Sequence, residues 1–121
     1  AAVTRATVGK SHGDALRGLA DAYWDFAHRH PGRYAATLRA PAGDDTEAVT
    51  AAAALLDVVY AVLGGYGISG DEAVDATRLL RAVLHGYVAL EAAGGFGMPR
   101  AVRKSYDRAV GVLDSAFATS A

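Results

Sequence analysis

The fold of this chain is decided by the stretch R-A-V-L-H-G-Y-V-A-L-E-A-A-G-G-F-G-M-P, residues 81–99. Its first half is apolar at helical spacing, with His85 and Glu91 as the polar exceptions. A double glycine, an aromatic residue and a proline follow. This order predicts a long helix that ends near Ala93, with Gly94 in the left-handed conformation of a helix terminus.

Helical spacing recurs on both sides of this stretch. We expect a helix over residues 14–30 and a short one over residues 31–39, with Pro31 in its first turn. A third helix should run from a cap at Asp44 or Asp45 to residue 65. A fourth should run from a capping box at residues 69–72 to residue 93, and a fifth from Pro99 to residue 119. No segment alternates between apolar and polar residues as a strand does. The sequence therefore predicts an all-α bundle of four longer helices and one short helix.

Composition sets further bounds on function. The chain has 121 residues, 52% of them hydrophobic and 21% charged, which is typical of one folded domain. A net charge of −1 lacks the basic surplus of a free-standing nucleic-acid-binding protein. There is no cysteine, and no side-chain cluster has metal-ligand spacing, so we expect neither a metal nor a cofactor. We expect no apolar run long enough to cross a bilayer, no signal peptide, no membrane partner and a cytoplasmic location.

Small residues form a stripe on the helix that contains residues 81–93. Ala82, Gly86, Ala89 and Ala93 recur at three- and four-residue spacing, beside a second stripe of larger apolar residues. Small residues at this spacing let another helix approach closely. One face of this helix is therefore predicted to meet a partner subunit. The alternative is that both faces pack within the chain.

Three short motifs carry a resemblance to a known family. They are H-P-G-R-Y at residues 30–34, L-H-G at residues 84–86 and L-E-A-A-G-G-F-G at residues 90–97. Their order and spacing resemble the C-terminal domain of TetR-type transcriptional regulators, in the subgroup named for a Trp-His-Gly motif. The likeness covers residues 14–117, and Arg81 stands where the tryptophan of that motif would fall.

The resemblance implies a bacterial, homodimeric regulator and not an enzyme. Residues 1–12 would be a lead-in or the end of a connecting helix, and residues 13–121 a domain that binds ligand and forms the dimer. A small apolar or aromatic effector would release this repressor from operator DNA, which is bound by a helix-turn-helix domain outside this chain. The last two long helices would pair with those of the partner in a four-helix bundle. The implied dimer residues are Ala82, Gly86, Ala89, Ala93, Val102, Tyr106, Ala109 and Leu113.

A ligand pocket in such a bundle would be lined by apolar and aromatic side chains with a few polar groups. The candidates are Tyr23, Trp24, Phe26, Tyr34, Leu56, Asp57, Tyr60, Leu63, Arg81 and His85. Ordinary core packing is the alternative for each aromatic residue, and a structural role is the alternative for His85. Asp57 either faces water on a polar seam, pairs with a cation or bonds a ligand. Glu91 is expected to pair with an arginine of the last helix.

Two other functional classes remain open from the residues alone. The chain could be a helical protein-interaction module without a small-molecule effector. It could also be a small enzyme that uses His85 with Asp57 or Glu91, although no nucleophile, metal set or catalytic motif accompanies these residues.

Overall fold

The computed structural model describes residues 12–120, which fold into five helices with no strand in that range. The helices are α1 His12–Arg29, α2 Pro31–Ala36, α3 Thr46–Gly65, α4 Gly70–Ala92 and α5 Val102–Ala118. The predicted all-α class, with four longer helices and one short one, is confirmed. Residues 1–11 of the expected lead-in, which was predicted over residues 1–12, lie outside the described residues. His12 belongs to α1 as its first residue and not to a lead-in.

Local signals correctly placed several helix ends. The Asp45 side chain caps α3 by accepting a hydrogen bond from the Ala48 N–H at 3.1 Å. Pro31 occupies the first turn of α2, where a missing N–H costs nothing. Gly94 follows α4 with φ of +71°, which is the left-handed geometry that a glycine adopts without strain.

Two predicted helix ends were wrong, and one helix begins where predicted but without the expected cap. Ser69 precedes α4, but its side chain makes no capping hydrogen bond, so the expected capping box does not form. Helix α2 ends at Ala36 because the Thr37 hydroxyl donates to the Tyr34 carbonyl and closes the last turn. Helix α5 begins at Val102 and not at Pro99, because the Arg100 N–H bonds back to the Met98 carbonyl in a tight turn.

The core lies where α1, α4 and α5 meet, and the end of α3 completes it. Its most buried side chains are Leu16, Leu63, Leu84, Tyr106 and Val110. The Tyr106 hydroxyl, at the centre, donates to the Ala20 carbonyl across the α1–α5 contact at 2.6 Å. A buried hydroxyl with a partner avoids the cost of an unpaired polar group, so this bond fixes the two helices against each other.

Helix α3 is covered only at its C-terminal end. Val62 and Leu63 are buried in the core, and Val59 is half-buried against it. The same stripe continues one turn before Val59 through Leu55 and Leu56, which are 57% and 39% exposed. The first half of α3 therefore carries an apolar inner face that nothing in residues 12–120 covers.

Helix α3 also corrects the expectation about membrane spans. Thr46–Gly65 is 20 residues long with a mean hydropathy of 1.8, which is long and apolar enough to cross a membrane by length and composition. The leucines, valines and alanines around Asp57 keep the average high despite that charge. A single helix of this kind is weak evidence for a membrane protein, although only 11% of its apolar window is buried among the described residues.

Candidate ligand-binding site

A chain of hydrogen bonds links α1, α2 and α4. The Tyr34 hydroxyl, from α2, lies 2.5 Å from Nδ1 of His85 on α4. The Tyr23 hydroxyl, from α1, bonds the Tyr34 hydroxyl in turn. Tyr34 is buried with Ala27 and Val88 in a small cluster at this end of the bundle. Three of the predicted ligand residues are thus brought together.

Arg81 joins this group from α4, one turn before His85. Its Nη2 atom donates to the Thr37 carbonyl at the end of α2, at 2.9 Å. Burial raises the pKa of both Tyr23 and Tyr34 above the ordinary phenol value, and the nearby Arg81 charge acts in the opposite direction on each. Both phenols are therefore neutral donors and acceptors at physiological pH, next to one fixed positive charge.

The uncovered part of α3 lies level with this polar group. Helices α3 and α4 are joined by the short turn at residues 66–69 and contact each other, so they run antiparallel. Leu56 and Arg81 lie at about the same distance along their helices from this turn. Tyr60, the next predicted ligand residue along α3, is 37% exposed.

The side of α1 that faces α3 is also left uncovered at this level. His12, Ala15, Leu19 and Phe26 share one face of α1 by their spacing, and the His12 ring packs against Tyr66 directly after α3. Ala15 and Leu19 pack against the core, whereas Phe26 is 37% exposed. Exposed apolar residues thus occur on both α1 and α3 around the Tyr23–Tyr34–His85 chain.

Two predicted ligand residues lie away from this group, and a third contacts only its edge. Trp24 packs against the small cluster of Ala27, Tyr34 and Val88, but its ring stacks on His28 at 4.3 Å and lies 4.7 Å from the ring of Tyr106 on α5. Leu63 is fully buried in the core. Asp57 is exposed and turned away from the inner stripe of α3, as in the solvent-facing interpretation of this residue.

Glu91 has a partner that the sequence did not indicate. Its Oε1 atom lies 2.6 Å from Nε2 of His28 on α1, instead of pairing with an arginine of α5. His28 Nδ1 in turn lies 2.8 Å from the Trp24 carbonyl. Since both ring nitrogens face acceptors, the geometry favours the doubly protonated imidazolium, and the Glu91 hydrogen bond raises the pKa of His28.

The outer surface of α4 and α5 carries two shallow concavities placed end to end. They measure about 340 and 370 Å³, and the apolar side chains that line them include Leu79, Val83, Ala109 and Val112. Leu79 and Val112 are 47% and 57% exposed. These two were missed at the sequence level, although extending the predicted dimer face by one turn, back from Ala82 and on from Ala109, would have reached them.

The residues of the predicted dimer face divide between surface and core. Ala82 and Ala93 are exposed, and four more are half-exposed: Gly86, Ala89, Val102 and Ala109. Tyr106 is fully buried in the core of the chain, whereas Leu113 is mostly buried but still lines the second concavity. The periodic stripe of α5 is thus its core face, and the neighbouring face is the open one.

Comparison with known proteins decides the family. Residues 16–113 match the family described as Tetracyclin repressor-like, C-terminal domain. The chain belongs to this family. The TetR-type resemblance of the three motifs is therefore confirmed, and the domain is the C-terminal domain of a transcriptional regulator.

Two curated relatives carry matching names. An uncharacterized HTH-type transcriptional regulator of Mycobacterium tuberculosis is 41% identical over 93 residues, which are 76% of this chain and 43% of that protein. A second uncharacterized HTH-type regulator, of Bacillus subtilis, is 39% identical over 82 residues, 68% of this chain and 42% of the relative. The chain thus spans less than half the length of the relatives it matches.

Proposed function

We propose that this TetR-family domain senses a small apolar ligand and forms the dimer of a repressor. The proposal is supported by the uncovered apolar inner face of α3, which lies about level along the bundle with Arg81 and the hydrogen-bonded Tyr23, Tyr34 and His85. Apolar walls with a few convergent polar groups are typical of small-molecule sites. Water on Leu55, Leu56 and Phe26 is unfavourable, so a ligand that displaces it gains binding free energy.

The proposed mechanism is a shift between two conformations of the regulator. Ligand bound between α1 and α3 would favour the conformation in which the two DNA-binding domains are wrongly spaced for the operator. Operator affinity then falls by the ratio of the ligand affinities of the two conformations. Operator binding itself would reside in the part of the protein that lies outside this chain.

Dimerisation is proposed through the outer surface of α4 and α5. The small residues Gly86 and Ala109 allow close helix approach, and Leu79, Val83 and Val112 supply apolar contact area. Contact across both helices of two subunits would form a four-helix bundle.

A neutral solvatochromic dye tests the sensor proposal. We expect saturable Nile red fluorescence with the purified chain, and displacement of the dye by octan-1-ol. Leu56→Gln places a polar group on the inner face of α3 and should abolish saturable binding. Ala54→Gln, at an exposed position on the opposite face of α3, should preserve it. Saturable binding that survives Leu56→Gln would place the dye elsewhere and contradict the proposal.

Sedimentation equilibrium tests the dimer proposal. We expect the wild-type chain to dimerise and Val112→Glu to be monomeric, because the carboxylate would be buried without a partner at the centre of the interface. Ala54→Glu, on the exposed outer face of α3, should leave the dimer intact. A monomeric wild-type chain, or equal effects of the two variants, would contradict it. A dimer that binds no apolar compound would instead favour an interaction module without an effector.

A further inference from the structure

We propose that the ligand carries a carboxylate, held by Arg81 and Tyr23, on an apolar body that covers the inner face of α3. This inference rests on the ligand-sensing function proposed above and adds the chemical class of the ligand. It predicts that an apolar acid binds more tightly than the alcohol of the same chain length.

Arg81 supplies a positive charge that no carboxylate of the described residues pairs with. Within residues 12–120, the ion pairs join His28 to Glu91 and Arg103 to Asp21 and Asp107, and Arg81 is in none of them. Its guanidinium has five N–H donors, and the Thr37 carbonyl accepts from Nη2. That bond holds the guanidinium beside the two phenols. One guanidinium next to two neutral phenols balances a single negative charge, which is the charge of a carboxylate at neutral pH.

The hydrogen-bond chain supplies a second donor in one of its two proton arrangements. If Tyr23 donates to Tyr34 and Tyr34 to Nδ1 of His85, the Tyr23 oxygen can only accept. If the His85 Nδ1–H donates to Tyr34 and Tyr34 to Tyr23, the Tyr23 O–H is free to donate. A carboxylate on Tyr23 selects the second arrangement and therefore the His85 tautomer that is protonated at Nδ1.

Apolar surface for the rest of the ligand is available along the first half of α3. Leu56 and Arg81 lie at about the same distance from the α3–α4 turn, and Leu55 and Phe26 are both exposed. A molecule anchored by its carboxylate at Arg81 could therefore lay its apolar part along the first half of α3. An uncharged apolar ligand would cover α3 equally well but would leave the Arg81 donors without an anion.

Isothermal titration calorimetry of the whole chain with three probes tests the inference. We expect octanoate to bind about tenfold more tightly than octan-1-ol, since one charge-assisted contact of this kind changes affinity by about that factor. Acetate, which lacks the apolar body, should show no measurable binding. Arg81→Gln should lower octanoate affinity to that of the alcohol and leave octan-1-ol binding unchanged.

Arg78→Gln is the matched control, because Arg78 is an exposed arginine one turn earlier on α4. It should leave both affinities unchanged, and an equal loss in Arg78→Gln and Arg81→Gln would overturn the site in favour of general charge attraction. Nitrogen-15 NMR of the His85 ring measures its tautomer, which does not depend on the overall stability of the fold. Octanoate should fix His85 as the Nδ1–H tautomer, and bound octanoate with the other tautomer would overturn the Tyr23 contact.

The failure of this inference is distinguishable from the failure of the proposed function. Octan-1-ol that binds as tightly as octanoate would overturn the carboxylate proposal and leave the sensor function standing. If neither compound binds, both proposals fail. If Leu56→Gln breaks the dimer of the ligand-free chain, the face of α3 is covered by a second copy and the ligand proposal is overturned.

Discussion

Helices α5 and α3 differ in a way that hydrophobicity alone would not predict. Helix α5 is amphipathic and buries one large side chain in nearly every turn: Tyr106, Val110, Leu113 and Phe117. Helix α3 is apolar nearly all round, yet among its own residues only Val62 and Leu63 are buried. Burial follows from a stripe that a neighbouring helix matches, so the surplus apolar surface of α3 indicates a second purpose.

The largest expected difference in unfolding free energy is between two leucine-to-alanine variants, one in the core and one on α3. Leu16→Ala removes a fully buried side chain from the core and should lower the free energy of unfolding by about 2–5 kcal/mol. Leu55→Ala, on the uncovered face of α3, should change it by about 0.5 kcal/mol or less. Urea unfolding followed by circular dichroism measures both. Comparable losses would mean that α3 is packed along its whole length.

Two glycines of α1 give a smaller contrast. A Cβ at Gly13 would lie 2.9 Å from Oδ2 of Asp114, whose Oδ1 accepts a hydrogen bond from the Tyr66 hydroxyl. Gly13→Ala should therefore cost about 1–2 kcal/mol of unfolding free energy, because Asp114 must shift. A Cβ at Gly18 meets nothing within 4 Å, so Gly18→Ala should stabilise by about 0.5–1 kcal/mol. Thermal melting of both variants measures these changes. A Gly13→Ala variant that is more stable than Gly18→Ala would contradict the expectation.

Removal of one hydroxyl distinguishes the regions again. Tyr106→Phe deletes the buried bond to the Ala20 carbonyl and should cost about 1 kcal/mol. Tyr60→Phe, on exposed α3, should be close to neutral. Chemical unfolding of the two variants side by side is the measurement. A neutral Tyr106→Phe would show that the α1–α5 contact does not depend on this bond.

The smallest effect concerns pH. The pKa of His28 is raised by Glu91, so the folded state binds the proton more tightly than the unfolded state. The resulting stability is fully present below the unfolded value of about 6.5 and is lost as pH rises through the folded pKa. Because both side chains are about one-third exposed, we expect about 0.5 kcal/mol or less. Glu91→Gln should abolish this pH dependence in unfolding curves, and an unchanged dependence would assign it to another group.

Local features of the sequence were sufficient for the element order. The cap at Asp45, the proline of α2 and the left-handed Gly94 each act within one turn of the chain, so spacing reveals them. The three motifs identified the family for the same reason, since they are short and contiguous. Pro99 was misleading because a tight turn follows it and delays α5.

Features that depend on distant contacts could not be read in this way. Trp24 and Tyr23 are adjacent, yet one packs on α5 and the other bonds α2, which depends on how α1 is rotated in the bundle. The Glu91–His28 pair joins residues far apart in sequence. Whether an apolar stripe meets the core or stands open, as with Leu63 and Leu56, depends on where α3 separates from its neighbours.

Amide hydrogen exchange of the ligand-free chain tests most directly the claim that the first half of α3 is an uncovered surface. Segments with few buried contacts open locally at low free energy, whereas core helices open only near global unfolding. We predict that amides of residues 50–58 exchange markedly faster than those of residues 106–117. We also predict that octan-1-ol slows exchange in the α3 segment selectively. Equal protection of the two segments without ligand would contradict the account.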